Sequence, residues 1–274
     1  MTAPKLLTPN QIIIKSGTYI VIESIEGATL TCGSQSYTLG SGETIHAFEV
    51  TAGTYACTAN KAEYYEASDS VTISTGFEYV TLYPTFLPTA YQRVEYLRAT
   101  GTQYIVTPVT PADNQIIAFK YMLIVLNNTT RVFATADGVT QLTITPADYY
   151  AFNNSPSTGA YNNINLHNTN IIYDCIYNAS TTFTVNGVDY SNSLKYGGAT
   201  SDKNIWLFSR YNTSGQNLKG DIYYFRITQS GSKIIDLVPC YRKSDSVAGM
   251  YDKVTDTFLT NSGSGNFAVG VDVH

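Results

Sequence analysis

The sequence predicts an all-β protein, a small sandwich followed by a larger jelly-roll sandwich, and three observations predict it. No stretch keeps apolar residues at helical spacing for more than about two turns, so no helix is expected. Short alternating segments are rich in Thr, Tyr, Val and Ile, with 23 tyrosines in 274 residues, and such residues suit half-buried pleated surfaces. Asparagines and 20 glycines fall between the segments, where turns require them. The length is too great for one small β-domain and comfortable for two.

The elements follow in order. Residues 1–19 mix Pro and Thr with the run Ile12-Ile13-Ile14 and read as an extended arm or first edge strand. Residues 20–85 form the small domain. Its strands include Thr29–Cys32, broken by Gly33-Ser34, then Ala47–Val50 after the break at Leu39-Gly40-Ser41-Gly42. A strand opens at Ala52-Gly53-Thr54-Tyr55, and Tyr79–Tyr83 is the last. Short strands at such spacing suggest a small sandwich. Pro84 and Pro88 then stiffen a linker and block ladder pairing, which implies a fairly fixed angle between domains.

Residues 86–274 form the large domain. Phe183–Tyr190 alternates around Asn186-Gly187, a dipeptide suited to a two-residue type I′ turn because both central positions need positive φ. Ile171, Tyr173, Cys175 and Tyr177 alternate with Ile172, Asp174 and Ile176, giving a strand with one largely apolar face. In Ile222–Ile227 both alternating sets hold large side chains, so burial on both faces is expected. Tyr251–Phe258 reads as a terminal hairpin. Many antiparallel strands with long loops give a jelly roll.

Two resemblances sharpen this outline. Glu26–Leu30, Val50–Tyr55 and Ser70–Ile73 resemble the PEGA and carboxypeptidase-regulatory-like modules, which implies an immunoglobulin-like fold and a spacer or docking role. In the long domain the motifs are Val94-Glu95-Tyr96-Leu97, Ala99–Ile105, Trp206–Arg210, Lys219–Ile227, Asp236–Asp245, and Gly249–Asp252 through Phe258–Phe267. From about residue 87 to 268 the chain resembles the laminin-G/concanavalin-A-like domains of phage and prophage structural proteins. That implies a concanavalin-A-like jelly roll and a role in binding or building.

Charge excludes some functions. Residues 1–90 carry three basic against eight acidic residues, a net −5, and the remainder balances at 13 and 13. Neither part has the basic stripe that phosphate neutralisation demands, so no nucleic acid is expected as partner. No apolar run approaches the roughly 18 residues that span a bilayer, and no membrane insertion is expected. The N-terminus lacks the apolar core of a signal peptide. None of Cys32, Cys57, Cys175 and Cys240 forms a Cys-x-x-Cys pair, which argues against a zinc site. Reduced, buried thiols are the expectation, with a Cys32–Cys57 disulfide as the alternative.

Catalytic groups are scarce. All eight glutamates lie at or before Glu95, leaving the last 179 residues with none. Retaining glycosidases on the resembled fold carry two close glutamates on one strand, nucleophile and acid/base; no such run occurs. Asp252 and Asp256 come nearest, in what reads as a solvated turn. His167 lies in an Asn-rich loop with no Gly-x-Ser-x-Gly elbow in the chain, and Gly197-Gly198 and Ser262–Gly265 read as turns rather than phosphate loops. No enzyme is expected.

Binding has more support. Sugar sites set an aromatic face against the ring and fix hydroxyls with amides or carboxylates. Tyr149, Tyr150 and Asn153 offer that mixture, as do Tyr161 with Asn163, and Tyr211, Asn212 and Gln216. Such loops are also what a low-charge β protein shows in general. Calcium would need clustered oxygens, and Asp137 beside Gly138 is the one candidate donor.

The resemblance therefore leads to a bacteriophage virion protein, a capsid decoration, head-fibre or tail-fibre component exposed at the virion surface. Residues 1–85 would contact other virion proteins, symmetric self-association would follow from the repetition of appendages, and the large domain would face host glycans. The alternative is a bacterial carbohydrate-binding surface adhesin; a glycoside hydrolase is disfavoured.

Overall fold

A computed structural model describes residues 6–7, 12–13, 17–112, 114–126, 130–138, 140–144, 150–152, 160–162, 168–178, 182–190, 201–209 and 216–273. The described chain is all-β, with no helix, and separates into two compact units, Met1–Thr89 and Ala90–His274.

In the first unit β1 (Leu6–Leu7) pairs with β2 (Ile12–Ile13). Seven further strands follow: β3 (Tyr19–Glu23), β4 (Thr29–Cys32), β5 (Gln35–Thr38), β6 (Ile45–Glu49), β7 (Gly53–Asn60), β8 (Ala67–Ile73) and β9 (Phe77–Thr81). They form a three-stranded sheet, β6-β3-β9, and a four-stranded sheet, β5-β4-β7-β8. β3 and β9 run parallel; the other pairs are antiparallel. Alternation decides the faces: Leu30 and Cys32 on β4, Cys57 and Ala59 on β7, and Ile20 and Ile22 on β3 share one core with Phe48. This is the expected small sandwich. The Pro-containing segment is tied into this unit, since Tyr65 and Thr85 exchange backbone hydrogen bonds of 2.7 and 3.1 Å and Phe86 meets Tyr64 edge-on.

The second unit begins with β10 (Tyr91–Arg93), β11 (Leu97–Thr100), β12 (Ile105–Val106), β13 (Gln115–Val125), β14 (Thr130–Thr135) and β15 (Gln141–Ile144). It continues through β16 (Tyr150–Phe152), β17 (Ala160–Asn162), β18 (Ile172–Asn178), β19 (Thr182–Val185), β20 (Val188–Asp189) and β21 (Ile205–Leu207). The last five are β22 (Lys219–Gln229), β23 (Ser232–Arg242), β24 (Ala248–Asp252), β25 (Thr257–Thr260) and β26 (Ala268–Val269). One sheet runs β20-β19-β18-β13-β22-β23-β24-β25, with β10, β11 and β26 attached; the other runs β12-β21-β14-β15-β16-β17.

The core lies between these two sheets. Phe119 on β13 and Phe225 on β22 both meet Phe133 on β14, at 5.2 and 5.5 Å between ring centroids. Edge-to-face geometry places the positive ring edge on the negative face of its neighbour, adding to the burial of three large side chains. From Ile172 on, β18 behaves as its alternation predicts, with Tyr173, Cys175 and Tyr177 buried and Ile172 and Ile176 exposed, whereas Ile171, expected on the buried face, precedes the strand and is exposed. Asn186 and Gly187 have φ of 49° and 78° and Val185 faces Val188, the two-residue hairpin expected from Asn-Gly.

β22 departs from expectation. A register shift at Lys120/Tyr121 pairs Lys120 with Tyr224 and Tyr121 with Ile222, so Tyr223 is skipped. The bulge turns Ile222, Phe225 and Ile227 all to the core, and the other face carries half-buried Tyr224 and Arg226. One added residue reverses the alternation on either side of it, and the strand is not buried on both faces.

Candidate functional site

The face of the six-stranded sheet opposite the core is set by alternation in β15 and by a bulge in β14, where the consecutive Val132 and Phe133 both belong to the core. In β15, Leu142 and Ile144 enter the core, so Gln141 and Thr143 point the other way. Register then aligns two rows. Arg131 pairs with Thr143, Thr143 with Ala151, and Ala151 with Tyr161. Val106 pairs with Trp206, Trp206 with Ala134, and Ala134 with Gln141.

This face carries polar groups that are nevertheless out of water. Arg131, Gln141 and Thr143 are each no more than 7% exposed. Arg131 Nε donates to Gln141 Oε1 at 2.8 Å. Thr143 Oγ1 is buried without a hydrogen-bond partner, and so is Oε1 of Gln216. Gln216 belongs to the same place, because its carbonyl accepts the amide of Arg131 at 3.0 Å. A buried polar atom left unpaired costs about 1–3 kcal/mol.

An aromatic pair flanks the polar row. The half-buried Trp206 stacks on Tyr104 at 4.6 Å with planes 13° apart. Its strand partners on either side are Val106 and Ala134, and the short Ala134 side chain separates the indole from Gln141.

Where β21 ends, the chain turns sharply. Phe208 has φ of 66°, a region that costs a bulky residue roughly 1–3 kcal/mol. It is held there by burial against Phe267 and by backbone bonds to Val132 and Leu218. Asn217 bridges to Arg131, and Gln216 lies alongside β14. Asn217 accepts the Ser209 hydroxyl at 2.5 Å and donates to the Gly101 carbonyl at 2.9 Å.

The motifs quoted from the sequence converge on this clasp. Tyr104 N donates to Asn261 Oδ1, the Thr102 hydroxyl to the Ser264 carbonyl, and Gln103 Nε2 to the Asn266 carbonyl. The Ser262–Gly265 turn thus clamps the 101–104 segment that holds Tyr104 against Trp206.

Of the residues selected from sequence, Gln216 lies beside this row. Tyr150 and Tyr161 are placed on β16 and β17, Tyr161 in register with the Arg131–Thr143 row. Tyr149, Asn153, Asn163, Tyr211 and Asn212 lie outside the described residues, as do His167 and Gly197-Gly198. Sequence reasoning missed Arg131, Gln141 and Thr143, and took Trp206 only as a fold motif. The alternation Gln141-Leu142-Thr143-Ile144 was the available signal.

Asp137 is engaged internally, accepting Thr135 Oγ1 at 2.6 Å and Ser201 Oγ at 2.7 Å. Among the described residues no group of three His, Cys, Asp or Glu could hold a metal ion. Asp252 is not solvated. It is fully buried, accepting the amides of Asp236 and Val254 and the Thr255 hydroxyl, and so it organises the β24–β25 turn rather than facing a substrate.

No family model matches the sequence, and no curated protein matches it. Among solved structures, the chain is similar to one described as "a putative carbohydrate binding protein" from Bacteroides ovatus. The TM-score is 0.45 at 15% identity, over 92% of this chain and 82% of that one. The resemblances to laminin-G-like and PEGA-like modules thus stand on the quoted motifs.

Proposed function

We propose that the larger unit binds glycans without cleaving them, on the face of its six-stranded sheet opposite the core. The observation that carries this reading is the buried cluster of Arg131, Gln141 and Thr143, with unpaired oxygens on Thr143 and Gln216, beside the Trp206–Tyr104 stack. Sugar hydroxyls donate and accept at once, which suits a threonine hydroxyl and an amide oxygen, and aromatic rings suit the apolar face of a pyranose. No carboxylate stands among the described residues of the two rows, whereas glycoside hydrolysis needs two.

A glycan array probed with the full chain tests this. Binding to a defined set of oligosaccharides, weakened roughly tenfold, about 1.4 kcal/mol, by Gln141→Ala or Trp206→Ala, supports the reading. Silence across a broad panel contradicts it. A setting on a virion surface, with residues 1–85 as the docking part, is a second proposal supported by the sequence resemblance alone. Mass spectrometry of purified particles lacking this chain would overturn that setting and leave a bacterial surface adhesin as the carrier of the same site.

A further inference from the structure

Two cysteines of the smaller unit face each other across paired strands. Cys32 ends β4, Cys57 lies within β7, and the register makes them direct Cα partners. Their Sγ atoms are 3.6 Å apart. One residue further, the Gly33 amide donates to the Ala56 carbonyl at 3.1 Å. Hydrogen-bonded and non-hydrogen-bonded pairs alternate along an antiparallel ladder, so Cys32 and Cys57 occupy a non-hydrogen-bonded pair, with Cα atoms about 4.5 Å apart. Disulfides span Cα separations of ~4.4–6.8 Å, and rotation about the two Cα–Cβ bonds is the motion that brings the sulfurs to bonding distance. The other cysteines lack this arrangement. Cys175 is paired with Phe119 and Val185, and Cys240 with Arg93 and Gly249.

We propose that Cys32 and Cys57 form an oxidation-sensitive pair that closes to a cross-strand disulfide when the protein meets a low-molecular-weight disulfide. One cysteine thiolate attacks the oxidant's S–S bond, giving a mixed disulfide and one thiolate leaving group. The second cysteine thiolate attacks the protein sulfur of that mixed disulfide and expels the other half. Two electrons pass from the cysteine pair to the oxidant, and the two thiol protons end on the two released thiols. The product joins the two central strands of the four-stranded sheet and closes a loop containing β5 and β6, which restricts the unfolded chain.

The surroundings set the rate. Both side chains are at most 1% exposed, and burial raises both thiols, Cys57 to about 12. Little thiolate exists at neutral pH, and the oxidant reaches it only when the sheet opens locally. Closure is therefore slow and durable, unlike that of an exposed redox sensor.

The test exposes the folded full-length chain to glutathione disulfide, quenches with an alkylating reagent, and reads thiols, intact mass and linked peptides. The expected result is loss of two of the four thiols, with one linked peptide pair containing Cys32 and Cys57. The oxidised form should unfold on the order of 10 °C above the reduced form for the first unit's transition. Retention of all four thiols after prolonged exposure overturns the proposal. So does a bond to Cys175 or Cys240, or a glutathione adduct on Cys32 or Cys57 that never resolves. Cys32→Ala should abolish the link; if that variant does not fold, the peptide map of the unsubstituted chain still decides.

Discussion

At the scale of the residue, close approaches and buried charges dominate. A Cβ on Gly220 would lie 2.1 Å from the Met122 carbonyl oxygen, where backbone has to shift, so Gly220→Ala should cost on the order of 3 kcal/mol in chemical denaturation. Asp221 is fully buried and grips Arg98 through Nε at 2.6 Å and Nη2 at 2.8 Å. Arg98→Ala leaves that carboxylate unpaired, and a loss of roughly 2–3 kcal/mol is expected, toward the low end because the guanidinium is itself a third exposed. His46 stacks on Tyr37 at 3.7 Å and meets Phe48 edge-on. Burial holds its pKa below the ordinary 6.5, although Glu43 pulls the other way. The unfolded state therefore binds the proton more readily, and stability falls as pH drops below about 6.5 until the folded-state pKa is passed. Glu43, whose pKa is lowered chiefly by the Gly40 amide and then by the Tyr37 hydroxyl, adds a further loss in the same direction only below about 4.5. A pH series of unfolding midpoints should show the first slope vanish in His46→Phe.

At the scale of the element, turn chemistry and period-2 patterning were legible, because each acts over neighbouring residues. The Asn186-Gly187 turn is the clearest case. Both residues have positive φ, and Asn186 also accepts the Asp174 amide at 2.8 Å. No atom lies within 4 Å of a Cβ on Gly187, so Gly187→Ala meets only the left-handed backbone cost, about 1–2 kcal/mol. That is smaller than the cost at Gly220, and thermal melts of the two variants check the ordering. The bulge in β22 was not legible. Nothing in Ile222-Tyr223-Tyr224-Phe225 marks Tyr223 as the residue without a partner; the shift arises from pairing with β13, about a hundred residues earlier in the chain. Asp252 was misjudged for a related reason. Its setting looked like a polar turn, but β23 folds over it and supplies the Asp236 amide.

At the scale of the whole molecule, the candidate site explains why its sequence signal is weak. Arg131, Gln141 and Thr143 come from neighbouring strands β14 and β15, Trp206 from β21, and Gln216 from the segment before β22. Only sheet pairing assembles them, whereas reading along the chain favours tyrosine and asparagine clusters in loops. The alternation that hides Leu142 and Ile144 in the core also forces Gln141 and Thr143 onto the opposite face, so fold and site share one cause. The same face lacks a described carboxylate, which is why the account predicts binding without turnover. The most direct measurement is an oligosaccharide-binding titration of the full chain, Gln141→Ala and Trp206→Ala against a glycan-array hit, with product analysis of the bound sugar. The account predicts saturable binding to the unsubstituted chain, weakened roughly tenfold in both variants, with the oligosaccharide recovered intact. Unchanged affinity in both folded variants, or release of shorter sugars, would contradict it.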